Sequence, residues 1–378
     1  MKRRTILKTL ACGAGCALLP FNPLKQGWSI LQNAYALEYT DTLSHVKAMY
    51  YKKLEGKGVE CELCPRHCLV TDLERGYCGV RENQGGEYYT LVHSRACSMN
   101  VDPIEKKPFF HFHPGTAAFS IATAGCNVNC KFCQNWDISQ VRPEQVSNVE
   151  LTPKAIVDIC RQRNIPNVAY TYSEPVVFYE YMYDTCLEGR EHGIRNVMVT
   201  GGYIEKDPLL KLIPVLDAIK VDLKSYSEKY YDEIVNGELQ PILDALKIMH
   251  AEGIWLEIVY LVVPTLNDSR GELTDLCQWI VTNLSKDVPV HFTRFHPTYL
   301  LTNLPPTPVK TLEMAYDIAK DSGLNYPYIG NVPGHMAEKT YCPSCGKTII
   351  DRSGYTIRRI DLEKGVCKFC GQKIAGIW

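Results

Sequence analysis

A chain of 378 residues with 46% hydrophobic and 22% charged content has the apolar material for one large core with small appendages, which excludes a disordered or low-complexity protein. The formal net charge is -1 with both signs interspersed, so no basic stripe points to nucleic acid and no acidic tail to a basic partner. The 17 cysteines are odd in number and clustered, which suits metal thiolates better than a disulfide framework.

The chain begins MKRRTILKTLACGAGCALLPF, with Arg3 and Arg4 ahead of a weakly apolar stretch, and resembles a bacterial twin-arginine export signal. Ala34-Tyr35-Ala36 offers a small-x-small cleavage pattern, so residues 1–36 are expected to direct export to the periplasm or cell envelope. The alternative is an uncleaved basic tail on a cytoplasmic protein. No other apolar run is long enough to span a membrane.

Residues 37–116 read as a Cys-rich amino-terminal module: a helix over 41–55, a Cys/Gly turn region, and short strands near 87–97. Within it, CELCPRHC and YCGVR supply Cys61, Cys64, Cys68 and Cys78, a set that suits zinc or an auxiliary iron-sulfur cluster, with His67 close enough to replace one thiolate. His111 and His113, in an aromatic stretch, read as packing residues or substrate contacts. Cys12, Cys16, Cys97, Cys160, Cys186 and Cys277 are scattered and carry no assigned role.

From residue 117 the pattern becomes regular. AAFSIATAG, NVAYTY, RNVMVTGG, DAIKVDL, WLEIVYLVV and VPVHFTRF predict six strands; TPKAIVDICRQR, VVFYEYMYDTCLEGREHG, DPLLKLIPV, LQPILDALKIMHAEG and RGELTDLCQWIVTNL predict the helices between them. A last helix, TPVKTLEMAYDIAKDSG, leads to NYPYIGNVPGH. Repeated βαβ units imply an α/β fold with a parallel sheet, open or barrel-like, whose ligands collect at the carboxyl ends of the strands.

The first of these strands runs directly into AGCNVNCKFCQNW, which carries Cys126, Cys130 and Cys133. Three thiolates can hold three irons of a four-iron cluster and leave the fourth open to an outside ligand. The alternatives are a zinc site completed by a distant His, or an electron-transfer cluster completed by a fourth thiolate. Neither fits the three-then-two spacing with Phe132 directly before the last cysteine. The loop resembles the CxxxCxΦC loop of the radical S-adenosylmethionine (SAM) superfamily.

That resemblance implies a 4Fe-4S cluster on Cys126, Cys130 and Cys133, SAM on the open iron, and its reductive cleavage to a 5′-deoxyadenosyl radical that abstracts hydrogen from a substrate. It also assigns cofactor contacts to strand-end residues. Ser173 and Glu174 stand where the superfamily has Gly-Gly-Glu, with Tyr172 and Ser173 replacing the glycines; Glu174 would meet the SAM ammonium or else cap the next helix. Thr200 and Gly201 follow the third strand. Asp222 and Lys224 resemble the Asp-Leu-Lys run of glycyl-radical activating enzymes, against a plain surface salt bridge. His296 would approach the nucleoside, against a packed loop histidine, and Asn267-Asp268 complete the ring.

Residues 336–378 hold Cys342-x2-Cys345 and Cys367-x2-Cys370, two knuckles of a zinc-ribbon-like module, for which a rubredoxin-like iron site is the alternative. Together with DPIEKKPFFHFHPGT, YTYSEP, HFTRFHPTY and GNVPGH, these motifs make the chain similar to the radical enzyme of the AmmeMemoRadiSam system and, over the center, to pyruvate formate-lyase activating enzymes. The resemblance implies an incomplete (β/α)6 TIM-like radical SAM barrel over 117–335, a flavodoxin or ferredoxin reductant, and Memo-like and AMMECR-like partners. A glycyl-radical activase and a non-catalytic iron-sulfur electron carrier are the competing functions.

Overall fold

A computed structural model describes residues 38–378; the expected twin-arginine signal over 1–36, with Cys12 and Cys16, lies outside them. Eight strands form the central sheet: β1 (Ser98–Pro103), β2 (Ala117–Ala122), β3 (Asn167–Tyr170), β4 (Arg195–Thr200), β5 (Ala218–Asp222), β6 (Trp255–Val262), β7 (Val290–Arg294) and β8 (Pro327–Gly330). β2 to β8 pair in parallel and in chain order, while β1 runs antiparallel along β2. β1 and β8 are the two edges, so the sheet curves as a partial barrel without closing.

The strands read as near-continuous apolar runs because both faces are covered, the pattern expected of a parallel sheet. Six helices supply the outer cover where apolar periodicity predicts them: α1 (Pro153–Gln162), α2 (Tyr179–Glu191), α3 (Lys206–Leu212), α4 (Gln240–Ala251), α5 (Arg270–Asn283) and α6 (Val309–Asp321). α1 starts where Thr152 Oγ1 accepts the Ala155 amide at 3.2 Å, and α5 where Ser269 Oγ accepts that of Glu272 at 3.2 Å, both ordinary N-caps.

Two expectations need correction. Among the described residues the parallel strands number seven, not six: PYIG becomes β8, a four-residue run that opens with Pro327, a position where the missing N–H is tolerated. The helix over 41–55 does not form. Tyr50 takes φ +56, which interrupts a helix, and strands at Val46–Lys47 and Tyr51–Lys53 pair instead with Thr90 and Tyr89 and with 59–61. Residues 39–96 build small sheets whose Val59, Leu63, Val80 and Tyr88 join the same buried cluster as the barrel. Cys97, Cys160, Cys186 and Cys277 are buried free thiols.

The carboxyl-terminal strands Thr340–Tyr341, Thr348–Ser353 and Thr356–Ile360 make an antiparallel sheet. It packs through Cys342, Ile349, Cys367 and Ile374 on Phe110, Tyr326 and Tyr328. His111 sits in that seam, fully buried, with Nδ1 2.7 Å from the Ala375 carbonyl and Nε2 2.6 Å from the Tyr328 hydroxyl. Of its two readings, packing is the one these contacts match; His113 stays half-buried at φ +39.

Burial pushes the His111 imidazole down to about 4 from an ordinary 6.5. Between those values the unfolded chain takes up a proton that the folded chain refuses. The stability tied to a neutral His111 is therefore complete above pH 6.5 and lost toward pH 4, by up to about 3 kcal/mol. Denaturant unfolding of His111→Gln is expected to show lower stability than wild type at pH 7, with the gap narrowing at pH 5; a constant gap would contradict this.

Candidate active site

The loop after β2 is fixed from several strand ends at once. Asn127 Nδ2 donates to the Tyr203 carbonyl at 2.7 Å, the Asn129 amide to Val235 at 3.0 Å, and the Lys131 amide to Ile234 at 2.9 Å. Gln140 Nε2 reaches back to the Val128 carbonyl at 3.1 Å. Gly125, just before Cys126, takes φ +95, and a Cβ there would stand 2.7 Å from the Cys78 carbonyl oxygen and from a Val80 methyl. Only glycine serves, on both counts.

Cys126, Cys130 and Cys133 then line one wall of a cavity of about 740 Å³ at the carboxyl end of the sheet. Phe132, Ser173, Glu174, Thr200, Gly201, Asp222 and Lys224 line it too. Among the described residues, only Cys342, Cys345, Cys367 and Cys370 bring three or more ligand atoms within 4.8 Å of one another. The three loop thiols are thus spread wider than a single tetrahedral ion requires, and the donor set fits a multi-iron cluster.

Glu174 is buried and firmly held. Oε1 accepts the Thr200 hydroxyl at 2.6 Å and the Val176 amide at 3.1 Å; Oε2 accepts the Gly201 amide at 2.8 Å. It therefore caps the short turn Pro175–Phe178 and faces the cavity together. Three of its roughly four lone-pair positions are filled, leaving one on Oε2 for a ligand donor. Burial raises its pKa despite these donors. A Cβ at Gly201 would come 3.3 Å from Oε2, so glycine there lets the carboxylate lie against the backbone. Tyr172, at φ +68, holds a left-handed position suited to glycine; its hydroxyl donates to Asp102, while the Ser173 hydroxyl donates to the Thr123 carbonyl at 2.7 Å.

Asp222 pairs with Lys220, and the Lys224 ammonium lies over the Phe132 ring, 5.9 Å from its centroid. Burial works against the charge on Lys224, but Cys130 and Asp222 nearby raise its pKa. Asn267 lies outside the lining and acts on the backbone, with Nδ2 donating to the Lys224 carbonyl at 2.8 Å; Asp268 accepts the Thr265 amide at 2.9 Å. His296 is not brought to the cavity: it is exposed, because Phe295 takes the buried position after β7 and Thr307 ties the chain there.

The residue in that role of lining is His291, inside β7, bonded at 2.8 Å to Glu257 of β6. Lys107 was also missed. It is buried, 2.6 Å from Asp102, and burial lowers its pKa to about 8 although Asp102 opposes the shift. A signal existed for the strand residues: Lys220, Glu257 and His291 each interrupt an apolar run that both faces of a parallel sheet would otherwise keep apolar.

Cys342 and Cys370 bring their sulfurs to 3.6 Å, and Cys345 and Cys367 to 3.9 Å. Four thiols at Zn–S lengths of about 2.3 Å sit roughly 3.8 Å apart, so this quartet is shaped for one tetrahedral ion.

A cysteine-bearing loop at the carboxyl end of an open parallel α/β sheet, facing charged strand-end residues across a cavity, defines a cluster-dependent barrel enzyme, and the sequence relationships are of that class. The Radical SAM superfamily model matches residues 120–277. The uncharacterized protein MJ0808 of Methanocaldococcus jannaschii is 46% identical over 330 residues, 87% of this chain and 98% of that one. The pyruvate formate-lyase-activating enzyme of Clostridium pasteurianum is 24% identical over 178 residues, 46% of this chain and 72% of its own. A radical SAM methyltransferase from Sphaerobacter thermophilus aligns over 80% of each chain with a TM-score of 0.48 and 14% identity. The chain belongs to the radical SAM superfamily, in one family with MJ0808, and is an enzyme of that kind.

Gly125→Ala is expected to cost more than left-handed strain alone, which is about 1–3 kcal/mol, because the Cys78 carbonyl cannot move aside. Gly253→Ala, at φ +74 with nothing within 4 Å, isolates the strain. Unfolding free energies of the two variants check this, and equal losses would show that the carbonyl yields.

Proposed function

We propose that the enzyme binds a 4Fe-4S cluster through Cys126, Cys130 and Cys133 and cleaves SAM reductively to start hydrogen abstraction from a substrate. The observation that carries this reading is the placement of three loop thiols and the Glu174 carboxylate around one cavity. When bound, the cluster supplies the single electron that breaks SAM into methionine and a 5′-deoxyadenosyl radical. A flavodoxin or ferredoxin would restore that electron.

The chain's own residues bind and orient. Glu174 offers its remaining Oε2 lone pair to the SAM ammonium, with Thr200 and Gly201 fixing the carboxylate. Lys224 and Asp222 present opposite charges to the zwitterionic end of the amino acid. Phe132 and the apolar strand ends limit water around the radical. The four carboxyl-terminal thiols hold zinc, which ties the last sheet together.

The similarity to the activating enzymes of C. pasteurianum and, at 21% identity over 155 residues, to the benzylsuccinate synthase activating enzyme of Thauera aromatica favours a second reading, activation of a partner enzyme. In that reading SAM is used once per partner molecule.

Anaerobically reconstituted and reduced protein is expected to form 5′-deoxyadenosine from SAM, and Cys130→Ala to form none while keeping its zinc. Retained cleavage in that variant would sink the assignment. Glu174→Gln is expected to weaken SAM binding by roughly 10- to 100-fold, read by titrating the cofactor's effect on the paramagnetic resonance of the reduced cluster. Export by the twin-arginine route belongs to the same proposal; replacing Arg3 and Arg4 by Lys should hold a tagged protein in the cytoplasm, and unchanged localisation would refute it.

A further inference from the structure

We propose that Cys61, Cys64, Cys68 and Cys78 hold a second iron-sulfur cluster, of two or four irons, distinct from the one on the active-site loop. The four thiols line one small cavity together with Arg66, Tyr88 and Arg81. They come from three places in the amino-terminal segment, so the chain converges on this point without forming a disulfide.

Spacing separates a cluster from zinc. A single tetrahedral ion draws its thiolates to about 3.8 Å of one another, and the carboxyl-terminal quartet shows that separation at 3.6 and 3.9 Å. No three thiols of the amino-terminal quartet come within 4.8 Å of one another, since among the described residues only the carboxyl-terminal set does so. Thiolates that bind different irons of one cluster stand farther apart than those around one ion, because the irons and sulfides lie between them.

The surroundings are built for negative sulfur. The Tyr77 amide donates to Cys68 Sγ at 3.4 Å. A neutral thiol is a weak acceptor, and an amide directed at sulfur is better spent on a thiolate. Two further donors face the same cavity without a partner. The Tyr88 hydroxyl and Arg81 Nε are buried and unbonded, although the other Arg81 nitrogens reach Glu180 at 2.6 and 3.2 Å. Buried donors left unpaired are costly, and the sulfides or thiolates of a cluster would accept from both. The site also abuts the active-site loop: the Cys78 carbonyl packs on Gly125, and Arg66 donates to the Asn127 carbonyl.

The test uses the full chain with Cys126, Cys130 and Cys133 all changed to Ala, reconstituted anaerobically with iron and sulfide. Between about one third and one half of the wild-type iron should remain, matched by equal acid-labile sulfide. Further change of Cys64 and Cys68 to Ser should remove that iron and sulfide, while an unchanged zinc content reports a folded chain. A triple variant with no iron and a second equivalent of zinc would overturn the proposal, as would one with no metal beyond the carboxyl-terminal ion. Iron without sulfide would overturn it too, since a lone iron in the carboxyl-terminal quartet would give that result. Iron and sulfide that survive the Cys64 and Cys68 changes would place the cluster elsewhere and refute the assignment.

Discussion

No side chain fits between residue 125 and the carbonyl of Cys78, and much of the site follows from that contact. The loop that carries Cys126, Cys130 and Cys133 leaves the sheet at a left-handed turn, directly against the amino-terminal cysteine segment. A rigid abutment there fixes where the loop begins, and hydrogen bonds from Asn127, Asn129 and Lys131 fix where it goes. The amino-terminal strands are therefore part of the machinery that holds the loop. Their sharing of one buried cluster with the barrel is the packing expression of the same fact.

Beneath the loop, the barrel interior carries charge that stability alone would not select. Lys107 with Asp102 and His291 with Glu257 are nearly buried, and replacing such pairs by apolar residues is often neutral or stabilising. What keeps them tolerable is saturation. Glu257 accepts from the Phe110 and His111 amides at 2.9 Å each, from Trp255 Nε1 at 3.1 Å and from His291 at 2.8 Å. Burial would raise its pKa, and these donors bring it below the ordinary range instead. The carboxylate thereby pins the segment before β2 to the barrel floor. Lys107, His291 and Lys220 face the cavity from the same interior, which gives a polar substrate partners that an apolar barrel would lack.

How much of this could be read from the chain depends on range. The loop cysteines, the strand-end positions of Glu174 and Lys224 and the carboxyl-terminal knuckles are local patterns, legible because a few consecutive residues carry both the chemistry and its placement. His296 misled because it has the right residue type after the right strand; whether it points inward is set by Phe295, whose apolar side chain wins the buried position. The helix over 41–55 misled because Tyr50 and the pairing partners at 59–61 and 89–90 override local propensity. Tyr172 with Asp102, and Glu257 with His111, join residues 70 and 146 apart, and no local period reports such pairs. What the chain did offer was the anomaly of Lys220, Glu257 and His291 inside apolar strands.

The carboxyl-terminal sheet belongs in the same account, because it supplies part of the cavity wall. Glu338, Gly354 and Tyr355 are among the cavity's lining residues. Glu338 Oε2 accepts the Gly334 amide at 3.0 Å and the Gly354 amide at 3.2 Å, so one buried carboxylate joins the loop after β8 to the hairpin that carries Tyr355. Arg352, on that hairpin, reaches the Phe110 carbonyl and the Thr340 hydroxyl, and its guanidinium lies over the Phe110 ring at 4.2 Å. A sheet this small has little core of its own, so the bonds of Glu338 and Arg352 set its position against the barrel. Those bonds therefore hold Tyr355 against the cavity, which makes the cavity wall depend on residues far along the chain from the thiols that face it.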